Sequence, residues 1–106
     1  MPTPRTKDWK AIDNKRPPNS TLTVTGLVET PNASSLPVLK RAVPQGINPA
    51  ILMLNLTIEA IGEPGAEVVD FRPAEYEEDS REKNYEQVDI HWDNECIAQV
   101  RVVRLD

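Results

Sequence analysis

Residues 51–61 alternate with a period of two. Leu52, Leu54, Leu56, Ile58 and Ala60 fall on one side, and Met53, Asn55, Thr57 and Glu59 on the other. An extended chain points successive side chains to opposite faces, so this pattern reads as a long half-buried strand and not as a helix. The same period recurs along the chain. Leu22, Val24, Gly26 and Val28 alternate with threonines, Val88, Ile90 and Trp92 with Gln87, Asp89 and His91, and Ala98, Val100 and Val102 with Gln99, Arg101 and Val103. Shorter runs at 38–43 and 67–72 are read as two further strands. No apolar stripe of helical spacing interrupts them.

Most of the ten prolines fall between these runs. Proline lacks the amide hydrogen that a central ladder requires, so their positions outline connections and sheet edges. Strands at short intervals without helices predict an all-β domain. The expected fold is a small antiparallel β-sandwich of about six to seven strands, with immunoglobulin-like architecture. At 106 residues the chain is the size of one domain. The expected organisation is a basic, proline-containing N-terminal leader over 1–18, partly disordered, followed by one sandwich domain over 19–106.

The turns carry a register argument, because residues opposite one another in a ladder share a face. A three-residue loop, Asp93-Asn94-Glu95, would oppose Trp92 to Cys96, Ile90 to Ala98 and Val88 to Val100. A two-residue turn would bury Gln99 and Arg101. The three-residue loop is therefore expected, with Cys96 facing the core beside Trp92. Pro64-Gly65 suits the centre of a type II turn. The resulting hairpin would pair Ala60 with Val69 and Ile58 with Phe71. Residues 73–84, rich in glutamate, are expected to form a solvated loop.

Charge narrows the function classes. Residues 1–16 carry five basic side chains against Asp8 and Asp13, whereas the rest carries seven against fifteen acidic ones. An acidic body repels phosphate backbones, so nucleic acid is not an expected partner. No apolar run is long enough to span a bilayer as a helix, and the first twenty residues hold no signal-peptide core. Cys96 is the only cysteine, which excludes an internal disulfide. A cytoplasmic protein without membrane contact is the expectation.

Catalytic chemistry has little to stand on. His91 is the only histidine, and no serine sits in a nucleophile turn. Asp89, His91, Asp93, Glu95 and Cys96 have ligand chemistry suited to a metal. In the three-residue register, however, His91 and Cys96 would point to opposite faces. No catalytic residue, cofactor or metal is therefore expected. A metal-dependent or hydrolytic enzyme built on the Asp89–Cys96 hairpin is the alternative, and a self-associating structural subunit a third reading.

Partner contact is expected elsewhere. The loop Pro44-Gln45-Gly46-Ile47-Asn48-Pro49 is stiffened by its prolines, and Asn48 is held extended by the proline after it. Gln45, Ile47 and Asn48 are candidate contacts. Outward-facing Ile51, Met53 and Ile61, with Ile97, Val103 and Leu105, suggest an apolar patch that Trp9 and Ile12 of the leader, or a second copy of the chain, would cover. Trp9, Ile12 and Met53 complete the candidate set of a non-catalytic protein-binding or assembly module.

Overall fold

The computed structural model describes residues 3–15, 20–31, 34–60, 70–81 and 84–105. Among these the chain is all-β, with seven strands and no helix: β1 (Thr6–Asn14), β2 (Thr21–Thr30), β3 (Ser35–Arg41), β4 (Ile51–Ala60), β5 (Asp70–Asp79), β6 (Gln87–Trp92) and β7 (Glu95–Leu105). They form one sheet in the order β3-β4-β6-β7-β1-β2-β5. Its end strands, β3 and β5, pack against each other, so the sheet curls into a barrel-like form instead of two separate layers. The pairing is mixed. β1 runs parallel to β7 and β4 parallel to β6, in place of the antiparallel arrangement expected throughout.

The alternation places the core as expected. Leu22, Val24 and Val28 of β2, Leu52, Leu54 and Leu56 of β4, and Val88 and Ile90 of β6 are almost wholly buried. Trp92, Val100 and Tyr85 join them.

Three expectations are corrected. Residues 6–14, expected in a leader, form β1 between β2 and β7. The strand is hard to recognise because its inward positions are Trp9, Ala11 and the fully buried carboxylate of Asp13. Asp13 accepts a 2.6 Å hydrogen bond from the Ser80 hydroxyl, and Lys15 and Arg104 lie 3.2 and 3.8 Å from its second oxygen. Two cations and one hydroxyl thus compensate the buried carboxylate.

Residues 73–79, expected in a solvated loop, belong to β5. Its inward side chains are Ala74, Tyr76 and Glu78, followed by buried Ser80. The partner of β5 is β2, with Thr25 opposite Glu75 and Leu27 opposite Pro73. The pairing of Ile58 with Phe71 does not occur, since β4 lies between β3 and β6. The expected Pro64-Gly65 turn, with Val69 and Ile61, lies outside the described residues.

The third correction concerns the β6–β7 hairpin. Its turn has two residues, Asp93 and Asn94, both with positive φ (49° and 66°). Two left-handed residues make the type I′ turn, whose twist matches that of the flanking strands. Trp92 therefore opposes Glu95, and His91 opposes Cys96. The register then shifts, and Ile90 opposes Ala98. Ile97 is the extra residue of a β-bulge, which returns Ala98 and Val100 to the core side. The bulge removes the cost that had argued against a two-residue turn. Cys96 is consequently exposed and not in the core.

Candidate functional site

The chain leaves β3 at Arg41 and enters β4 at Ile51 through the expected stiff loop. Hydrogen bonds from its own side chains hold it. The Gln45 carboxamide acts as a piece of strand: its Oε1 accepts from the Met53 amide at 2.9 Å, and its Nε2 donates to the Met53 carbonyl at 2.8 Å. The same nitrogen donates to the Ala42 carbonyl at 2.7 Å. Asn48 Oδ1 accepts from the Ala50 amide at 3.0 Å, turning the chain into β4. Gly46 lies close to the Met53 sulfur, where a Cβ would stand 3.0 Å from it.

What this frame presents is apolar. Ile47 is as exposed as in an extended chain (104%), and Val43 nearly so (89%). Beside them opens a groove of about 620 Å³ lined by Arg41, Gln45, Ile47, Pro49, Ile51 and Tyr85, among others. Arg41 is anchored at its rim. Its Nη1 donates to both oxygens of Glu78, at 3.0 and 3.2 Å, and to the Tyr85 hydroxyl at 3.1 Å. Tyr76 and Tyr85 donate to the same carboxylate at 2.8 and 3.0 Å. This network joins β3 to β5 where the sheet closes. The Tyr85 hydrogen bond raises the Arg41 pKa further, so the guanidinium is a permanent cation. Burial, and then the hydrogen bond to Glu78, push the Tyr76 phenol up to about 12.

The described lining of the groove holds no imidazole, thiol or carboxylate, and its one hydroxyl, of Tyr85, donates to Glu78.

The candidate contact residues divide. Ile47 projects as a contact would. Gln45, Asn48 and Met53 instead hold the loop together. Trp9 is half-buried, packed on the core through β1. Ile12 is exposed on the outer face, in register with Val103 of β7, two residues before exposed Leu105. Ile12 therefore lies beside Val103 and does not cover it, while Ile97, read as outward, packs against the core. Sequence reasoning missed Val43, and also Arg41 and Tyr85. Val43 looked like the last residue of a strand, and the partners of Arg41 lie 37 and 44 residues away.

Comparison with protein-family models, with curated proteins and with solved structures gives no match for this chain.

Proposed function

We propose that the chain is a non-catalytic protein-binding module that seats Ile47, on its stiff 42–50 loop, in an apolar pocket of a protein partner. The supporting observation is the pairing of a fully exposed isoleucine with a backbone held by the Gln45 carboxamide. Burying that side chain contributes about 2–3 kcal/mol, and a loop already fixed loses little freedom on docking. The net charge of −5 favours a protein over a phosphate backbone as partner.

The test places a photo-crosslinking amino acid at Ile47, with a second version at exposed Glu75 of β5 as control, in lysate of the native cell. Unlabelled wild-type protein is expected to abolish an Ile47-specific crosslink, whereas unlabelled Ile47→Asp does not. Equal competition by both would remove the reading.

A second reading, self-association, is favoured by the outward pair Ile12 and Val103 with Leu105 nearby. Solution mass separates the two. Only self-association through this patch makes Val103→Asp reduce the assembled mass.

A further inference from the structure

The two-residue turn brings together groups that a three-residue loop would have separated. Asp89 and His91 lie two residues apart on the outer face of β6, and Cys96 lies directly across the ladder from His91. A carboxylate oxygen, an imidazole nitrogen and the thiol sulfur all lie within 4.8 Å of one another. Zinc bond lengths of about 2.0–2.3 Å in a tetrahedron place neighbouring ligand atoms roughly 3.3–3.8 Å apart. Rotation of side chains at a half-exposed surface spans that difference without moving the backbone.

The surroundings fit a cation. Asp89 Oδ1 accepts a 2.6 Å hydrogen bond from Gln87 Nε2, which orients the carboxylate as outer-shell partners of metal ligands do. Cys96 Sγ donates to the Ala98 carbonyl at 3.5 Å, fixing the sulfur on the same side of the bulge. Met53 and Asn55 of β4 stand in register with Asp89 and His91, and Gln99 of β7 with Asp89. None of these neighbours is charged, so no cation competes at those positions. The bulge at Ile97 serves both faces, holding Cys96 outward while sending Ala98 inward.

We propose that Asp89, His91 and Cys96 bind one zinc-class divalent ion on the outer face of the β6–β7 hairpin, leaving a fourth position to water. One sulfur, one nitrogen and one oxygen suit zinc or cobalt, whereas magnesium and calcium favour oxygen alone. The site is separate from the 42–50 loop, and its existence does not depend on what that loop binds.

The experiment titrates the reduced full-length chain with Zn²⁺ against a chromophoric chelator, and with Co²⁺ as an optical probe. One ion per chain is expected, with a thiolate-to-cobalt charge-transfer band in the near ultraviolet. Loss of a ligand in His91→Ala or Cys96→Ser should weaken binding at least about tenfold, the lower end of what even outer-shell losses produce. Glu95→Gln should bind as wild type does. Saturating Zn²⁺ should also slow alkylation of Cys96 in the wild type. That measurement and the cobalt band decide the matter even if a variant folds poorly. Equal Zn²⁺ affinity in wild type and Cys96→Ser, or saturation with Co²⁺ without a charge-transfer band, overturns the site.

Discussion

Gly26 is glycine because Trp9 occupies the space its side chain would need. Lys7 opposes Leu27 and Lys10 opposes Thr25, so Asp8 and Trp9 together face Gly26 across a β-bulge. Asp8 takes the left-handed conformation there (φ 56°), one that aspartate tolerates better than most residues. A Cβ built on Gly26 would collide with Cε3 of the indole and stand 2.5–2.6 Å from two further ring atoms. The indole nitrogen is buried without a hydrogen-bond partner, so packing, not polar contact, holds the ring. Gly26→Ala must therefore expel the ring, and should destabilise the fold by about 3 kcal/mol, as overpacking does. In a Trp92→Phe background, Trp9 emission should shift to the red in the same variant. Urea unfolding with unchanged stability and unchanged emission would show that the ring has another resting place.

The β6–β7 hairpin tests the same logic at the scale of an element. Its turn requires positive φ at both Asp93 and Asn94. Asn94→Gly removes the residual left-handed strain and should hold or slightly raise stability, while Asn94→Ala should lower it by about 1 kcal/mol. Urea midpoints of the two variants give the ranking, and a more stable alanine variant would exclude the type I′ turn.

Elements with core on one face and water on the other, β2, β4, β6 and β7, are legible in the sequence because their apolar residues keep step with the pleat. β1 and β5 are not. Their inward positions include Asp13 and Glu78. Lys15, Tyr76 and Tyr85 meet them from within seven residues, but Ser80 reaches Asp13 from 67 residues away and Arg41 reaches Glu78 from 37. Strand alternation is a local signal, whereas that compensation spans tens of residues. The hairpin was half legible. Both Ile90 with Ala98 and Val88 with Val100 are found as read, but a bulge can absorb the odd residue that a turn otherwise must, and periodicity does not distinguish the two. At the candidate site, the stiffness and the exposed isoleucine of the 42–50 loop follow from its prolines and its lack of apolar neighbours. The use of Gln45 as a substitute strand does not, because it depends on which backbone lies beside it.

At the scale of the molecule, the seam where β3 meets β5 rests on a charged network: Glu78 receives Arg41, Tyr76 and Tyr85 together. The Tyr76 phenol, raised to about 12 from an ordinary 10.0 by burial first and then by its bond to Glu78, holds its proton more tightly folded than unfolded. Below pH 10 the phenol is neutral in both states, and the stabilisation it brings to the seam is complete. As pH rises from about 10 towards about 12 the unfolded chain loses that proton first, so stability falls across this window and the contribution is gone above it. Arg41, whose pKa is raised further by the same network, keeps its charge throughout and does not offset the loss. Tyr76→Phe lacks the proton and the hydrogen bond. It should be less stable at neutral pH by about 1 kcal/mol, the net worth of a typical hydrogen bond, and flatter in its alkaline decline. Unfolding free energies of both proteins at pH 8, 10 and 11 make the comparison. Parallel declines would mean that Tyr76 is not coupled to closure, and that the Arg41–Glu78 bond and packing hold β3 to β5 without it.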